Sequence, residues 1–566
     1  MRMKKWAALL TALCLVCGAC FSANAETAYS VTGKDTKMYI GSVDNSRDIQ
    51  LFYVNGGNIP YIRVEDVGML VETAYSLLPL AAPFYGLEYK AGGDHAVYTR
   101  GNYTMDFDFT NDTITFSDFD AFFKADNVGL VDLVWTSENT DALFRMSGLT
   151  TERYGKELVF DLKPYEIDLV AAGGSYYVPL QTVSDIACSY YECPAYYNGD
   201  AVFLTEGMDD AMKAVFQAGS LGWSEDLAAF SYHELCFALD YQYGLKDIHG
   251  ITGFDELFSE TGLKEGFLNT DATKADKALY RLIYFFLGDQ HSALNSLSPL
   301  TDREAMLDVL DLGQGLSNNK TARAQLDFHT ARDKAYPDGI PAYEEIGNTA
   351  YITFDQFMDF APDLDYMAPV TEADNSKNET VRLMQYACSQ ILREGSPIQN
   401  VVMDLSCNGG GNTGAAEYVM ATFLGEADFS IKNTMTGALT DSVYTIDTNL
   451  DGVFDEKDTL AGKGLNLFCI TSPLSFSCGN LVPCVFKSSQ KVTLLGQTSG
   501  GGSCSVHCFT TVYGSSFQVS GFRRFSVMKN GSFYDIDLGA DPDYYIARPE
   551  KFYTREALTE FINGLY

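Results

Sequence analysis

The sequence predicts a multidomain α/β protein, on three observations. Short alternating strands run to about residue 205, a helical pattern fills 206–336, and strand–turn–helix units occupy 337–566. At 566 residues, 46% hydrophobic and 20% charged, the chain has the length for about three or four domains and the composition for large cores.

Residues 1–25 carry Arg2, Lys4 and Lys5, the apolar run Trp6 to Phe21, and the small-residue site Ala23-Asn24-Ala25, which together read as a secretory signal. A lipid anchor would modify Cys20, but Cys17 stands where leucine is usual, so attachment to the cell surface ranks second to secretion. No later stretch approaches the ~18 apolar residues of a membrane span. A net charge of −36 argues against nucleic acid as a partner, because phosphate binding needs a basic surface. Of the 13 cysteines, Cys188 and Cys193 are the closest plausible pair in an exported chain, while Cys236, Cys388 and Cys469 sit in apolar runs and read as buried thiols. Cys504, His507 and Cys508 lack a second ligand pair at zinc spacing.

Residues 26–205 are rich in tyrosine and glycine, and two segments echo each other, Ile59 to Val67 and Tyr177 to Asp185. They resemble the stalk-like modules known as copper amine oxidase N-terminal-like repeats. That resemblance implies a binding or spacer role, without copper chemistry, since no histidine cluster accompanies it.

From 206 to 336 apolar residues recur at three and four, as expected of a helical cap. Within it a strongly apolar helix stops at Gly288-Asp289, and His291 follows on the turn. A histidine between a helix stop and the next element start is a candidate positioned side chain.

In the last part, the strand Val401 to Leu405 runs into Ser406-Cys407-Asn408-Gly409-Gly410-Gly411, where glycines allow close backbone approach. A tight strand-to-helix turn explains the same glycines. Further on, Asp447, Asn449, Asp451, Asp455 and Asp458 stand at positions 1, 3, 5, 9 and 12 of a loop, with Gly452 at 6 and the Val453 carbonyl at 7. That is the oxygen spacing of a calcium loop; an ion there would brace structure, and the alternative is a solvated acidic turn. The strand Leu467 to Ile470 then ends in Thr471-Ser472-Pro473 before Ser475-Phe476-Ser477-Cys478-Gly479-Asn480 opens a helix. A serine at that junction can be a nucleophile beside unpaired helix N–H groups, or simply an N-cap. Ser477 is the candidate.

Taken together, VVMDLSCNGGG, SFSCGN, LLGQTSGGG and DLGADPDYYI resemble the tail-specific, or C-terminal-processing, serine peptidase family, including its tricorn-type branch. The resemblance covers about Tyr343 to the C-terminus plus the DQHS stretch. It implies a crotonase-like (ClpP/crotonase) core, Ser477 as nucleophile and protein or peptide substrates. Many members use a lysine base in a Phe-Gly-Lys-Gly turn, but this chain reads Ser499-Gly500-Gly501-Gly502-Ser503 there. The other branch takes a histidine from an Asp-x-His-Ser turn, which matches His291. A late carboxylate then orients it, Asp537 as first choice and Asp535 as second. Cys478 N–H with Gly409 or Gly410 N–H would form the oxyanion hole, and no cofactor is called for in catalysis. The family's PDZ domain is expected to be missing between His291 and Tyr343. Ser406 replaces the family's arginine and Asn480 its glutamate, which motivates the alternative of a non-catalytic extracellular binding protein on the same fold.

Overall fold

The computed structural model describes residues 29–77, 86–124, 146–307, 320–358, 364–449 and 451–566. The expected signal at 1–25 lies outside them.

Strands β1 (Val31–Ile40) and β2 (Ser42–Val54) form a long hairpin. Strand β3 (Tyr61–Arg63) leads into helix α1 (Val67–Ser76), and β4 (Ser175–Pro179) leads into the helical stretch that begins at Leu180. These are the two echoing segments, and they meet: β3 and β4 pair antiparallel, with Tyr61 opposite Pro179 and Ile62 opposite Val178. The result is one seven-stranded sheet, with Val64, Val67, Leu70, Val178, Leu180 and Ile186 in a shared core.

A five-stranded antiparallel sheet spans Leu87–Gly92 to Leu158–Asp161. Between its last two strands the chain departs, and Met146–Arg153 pairs along Leu439–Ile446 in the C-terminal part. Buried Asp120 adds a second link, accepting from Asn433 Nδ2 at 2.9 Å and Thr436 Oγ1 at 2.8 Å. Residues 26–205 are therefore built into the rest of the molecule, not set apart as the spacer that a stalk implies. Cys188 and Cys193, the pair considered for a disulfide, are both free buried thiols.

Helix α2 (Glu225–Gln242) and the shorter helices to Arg281 place Leu235, Phe254, Phe258 and Leu279 against Phe509, Phe517 and Val519 of the C-terminal part. The helix after Ala272 ends at Gly288, whose φ of 64° closes it in the left-handed conformation that glycine adopts freely. Strand β5 (Ala293–Ser296) begins just after His291. The helix Lys320–Ala335, inside the 206–336 segment, packs Phe328 and Ala331 on Tyr351, Phe468 and Phe552, and so lies with the C-terminal part.

That part centres on four parallel strands, β6 (Thr349–Thr353), β7 (Asn400–Asp404), β8 (Asn466–Thr471) and β9 (Val492–Gly496). Helix α3 (Cys478–Ser489) lies between β8 and β9. β7 is buried throughout and β8 apart from its first residue, which is why both read as continuous apolar runs. Under β7, Arg555 from the C-terminal helix holds Asp404 at 2.5 Å, both side chains out of solvent, and covers the Tyr351 ring at 4.3 Å. Last comes the hairpin β10 (Cys504–Thr510) and β11 (Ser516–Ser526), to which β5 adds as an edge strand, Ala293 opposite Gln518.

Where the three parts join, Asp185 and Glu234 are both buried. Gln181 Nε2 bridges Asp185 Oδ1 and the Thr510 carbonyl, each at 2.8 Å, and Thr182 donates to Glu234. Burial pushes the Glu234 carboxyl up to about 8, and burial followed by the Glu234 charge raises Asp185 well above the carboxylate range. A carboxyl whose folded pKa is raised keeps its proton while the unfolded chain loses it, so stability falls as pH rises from about 4.5 towards 8. Thermal unfolding across pH 5 to 8 should show this slope in the native protein and a flatter one in Glu234→Gln; equal slopes would remove the pair from the account.

Candidate functional site

Strand β8 delivers the chain into a turn whose bonds are almost all internal. Ser475 is fully buried and spends its hydroxyl on the Leu405 carbonyl at 2.7 Å. Ser477 sits at the N-cap position of α3 with φ 57° and ψ −123°, in the positive-φ region that non-glycine residues seldom occupy, and its side chain makes no capping bond. Such a conformation costs on the order of 1–3 kcal/mol and persists only when the surroundings impose it. Here Ser477 N donates to Gly501 O at 2.9 Å and Phe476 N to Asn408 O at 3.0 Å. The half-buried Ser477 hydroxyl is left for other work.

Both glycine runs press on this turn. Gly410, at φ 104°, lies where a Cβ would be 2.5 Å from Ser477 Cβ. Gly501, at φ 83°, lies where a Cβ would be 2.0 Å from the Asp537 carbonyl oxygen. The segment that stands in place of the family's lysine turn is thus a packing surface between Ser477 and the Asp537 loop. That loop is also held by Asn480, whose Nδ2 donates to Ile536 O at 3.0 Å and whose Oδ1 accepts from Ser499 Oγ at 2.7 Å; Ser499 Oγ in turn accepts from Ala540 N at 2.7 Å.

The two candidate carboxylates part company. Asp535 is exposed and pairs with Arg524 at 2.5 Å. Asp537 is half-buried, and its Oδ1 accepts from Gly502 N, Ser503 N and Ser503 Oγ at 3.1–3.2 Å.

His291 is 7% exposed and lies edge-on to the Phe476 ring, centroids 4.6 Å apart. Its Nδ1 is buried without a hydrogen-bond partner. Burial lowers its pKa below the ordinary 6.5, while the charges of Asp289 and then Asp537 pull it back up. Among the described residues no hydrogen bond joins the His291 ring to Ser477 Oγ or to a carboxylate. The members are gathered around Phe476 and Ser477, with their mutual bonds unmade.

The oxyanion-hole candidates are likewise engaged: Gly409 N donates to Asp355 O at 3.0 Å and Gly410 N to Asn408 Oδ1 at 2.9 Å, while Cys478 Sγ reaches Gly411 O at 3.1 Å. Ser406, in the family's arginine position, bonds Tyr553 OH at 3.0 Å. In the acidic loop, Leu450 lies outside the described residues. Asp447 accepts from Asp451 N at 3.1 Å and Gly452 N at 2.8 Å, Asn449 and Asp451 accept from Asp451 N and Val453 N, and Asp458 accepts from Asn449 N and Asp455 N. Asp455 also pairs with Lys457 at 3.1 Å. The oxygens proposed for calcium thus serve the loop's own backbone, and among the described residues no group of three or more histidines, cysteines or acidic residues is placed to hold a metal. His507 is buried between Phe509 and Phe522, and burial lowers its pKa to about 3.

Asp289 was not singled out from the sequence. It accepts from His291 N at 3.1 Å and Ser292 N at 2.8 Å, and a carboxylate two and three residues before the amides it caps is a readable turn signal.

Residues 348–546 match the model of peptidase family S41, which bears out the resemblance drawn from the motifs. No curated protein matches the chain. Among solved structures, a photosystem II D1 C-terminal processing protease is 17% identical over 36% of this chain and 43% of its own, with a TM-score of 0.25. A lipoprotein from Streptococcus agalactiae is 14% identical over 60% of this chain and 98% of its own, at 0.34, and the tricorn protease 15% identical over 42% and 19%, at 0.24. The chain therefore spans less than half the length of the first of these, and likenesses this slight carry no conclusion.

Gly501→Ala is expected to cost about 1–3 kcal/mol through overpacking and left-handed strain. It should also raise amide exchange across 535–540. Unchanged melting and exchange would contradict the role given to this glycine.

Proposed function

We propose that this chain, whose residues 348–546 belong to peptidase family S41, is an exported serine endopeptidase that cleaves peptide bonds through an acyl-enzyme at Ser477. The observation that carries the reading is the strained, uncapped Ser477 at the start of α3, with Gly410 against its Cβ. A structural N-cap would spend its hydroxyl on the helix, and a serine without function has no reason to hold a positive φ.

In the proposed reaction Ser477 Oγ attacks the scissile carbonyl carbon while His291 takes its proton. The tetrahedral oxyanion collapses as His291 returns that proton to the leaving amine, and water then repeats the sequence to release the acid. Asp537 is the carboxylate that orients the imidazole. Cys478 N–H and one glycine N–H would receive the oxyanion, which requires Gly409 or Gly410 to exchange its present bond as substrate enters. Apo sites are often loose in this way and tighten on binding. The chemistry so written calls on no metal or organic cofactor, and its substrates are proteins or peptides.

A second reading, a non-catalytic binding protein on the same fold, is favoured by one feature, the unmade bond between His291 and Ser477. A fluorophosphonate separates the two. The peptidase reading expects an adduct on Ser477 in the purified protein, lost in Ser477→Ala and reduced on the order of 100-fold or more in His291→Ala. An unlabelled Ser477 in folded protein would favour the binding reading. The base must be neutral to accept a proton, so labelling should fall as pH drops through the His291 pKa, with a midpoint below 6.5 because burial lowers it. A midpoint above 6.5 would contradict the environment described for His291.

A further inference from the structure

The turn that carries His291 is held from outside by a network that the peptidase reading does not require. Asp289 is its centre, with five donors converging on one carboxylate. Oδ1 accepts from His291 N at 3.1 Å, Ser292 N at 2.8 Å and Ser520 Oγ at 2.9 Å; Oδ2 accepts from Ser292 Oγ and Tyr243 OH, both at 2.8 Å. The donors come from three elements: the turn itself, β11, and the residue that closes α2. From the other side Gln518 Nε2 donates to His291 O at 2.9 Å. The backbone of His291 is thus tied at both N and O, while its ring is placed by contact with Phe476.

Tyr243 reaches Asp289 because the end of α2 is pressed onto β11. Gly244 N donates to Ser520 O at 2.8 Å, and a Cβ on Gly244 would fall 1.9 Å from the Gly521 carbonyl oxygen. Only glycine allows that approach. Tyr243 is buried, and burial followed by the Asp289 charge raises its phenol above the ordinary range, so it stays a donor. A phenol has one hydrogen to give. With that hydrogen on Asp289, the 3.0 Å contact between Tyr243 OH and His249 Nδ1 must be donated by the imidazole. A chain of bonds then runs from exposed His249 through Tyr243 to Asp289, whose charge is the largest raising influence on His291.

We infer that Tyr243, acting through Asp289, is a positioning residue for the proposed base His291, so that docking of the helical layer on β11 sets both the placement and the proton affinity of that base. This rests on the peptidase reading for its functional meaning, while its physical content does not. The titratable groups around the network are His249, Asp289, Asp537 and the Cys504 thiol, which burial keeps protonated.

The two substitutions have opposite signs. Asp289→Asn removes the negative charge that raises His291, so its titration midpoint moves to lower pH. Tyr243→Phe removes a donor that spreads that charge, so the midpoint moves to higher pH. A purely structural defect would not split them this way. The experiment is a titration of histidine-labelled full-length protein by NMR, with the His291 signal assigned by its loss in His291→Ala, beside fluorophosphonate labelling rates for the same variants. The inference expects midpoints displaced in opposite directions, with labelling slowed on the order of 100-fold in Asp289→Asn and about 10-fold in Tyr243→Phe. Midpoints that stay at the native value in both variants, or move together, overturn it. Should Asp289→Asn not fold, Tyr243→Phe and Ser520→Ala, each removing one donor to Asp289, must both move the midpoint upward, and failure of either to do so overturns it as well. A native protein that titrates as expected but takes no label on Ser477 would defeat the peptidase reading and leave the network standing.

Discussion

The positive φ of Ser477 is the constraint on which the rest of the site depends. A strand, β8, must end and a helix, α3, must begin within a few residues, and the chain makes the reversal by forcing one serine into a strained conformation. That strain has to be imposed from outside the turn, and three segments do so: Asn408 O and Gly410 from the end of β7, Gly501 O from the end of β9, and the buried Ser475 hydroxyl on Leu405. Each needs a backbone closer than a side chain permits, so both glycine runs fall there.

From that turn outward the molecule is a set of seams. The Asp537 loop leans on Gly501 and Asn480, β5 adds to β11 immediately after His291, and α2 meets β11 through Gly244. Buried polar groups mark the joins: Asp120 with Asn433, Gln181 with Thr510, Asp404 with Arg555. Satisfied buried pairs of this kind are expensive to break one partner at a time, which makes them better at enforcing one arrangement of parts than at adding net stability. The strand Met146–Arg153 does the same with backbone bonds alone.

The proposed catalytic set lies within this frame with its bonds unmade. His291 has a burial-lowered pKa and an unpartnered Nδ1, and the candidate glycine N–H groups are bonded to neighbours. On the peptidase reading, closing the set needs the imidazole to shift on Phe476 and the 408–411 turn to release one donor. Both are small movements at the point where substrate would enter.

Local pattern was enough to read much of this chain. The change from alternating strands to three-and-four spacing to strand–turn–helix units follows from burial on one face or on both. Ser477 and the turn before His291 are legible because a helix start and a helix stop are written in adjacent residues. The echo at Ile59 and Tyr177 was visible as well, although not that its two strands pair with each other. What the tertiary structure decided is which distant groups meet. Asp535 and Asp537 look alike in sequence, yet alternate residues of an extended segment face opposite ways, so one reaches Arg524 and the other Gly502 and Ser503. Asp289 drew no notice because its importance lies in Tyr243 and Ser520, brought to it from other elements. The helix Lys320–Ala335 and the strand Met146–Arg153 found partners far along the chain for the same reason: periodicity records whether a face is buried, while the identity of the surface that buries it is settled only when the chain folds back on itself.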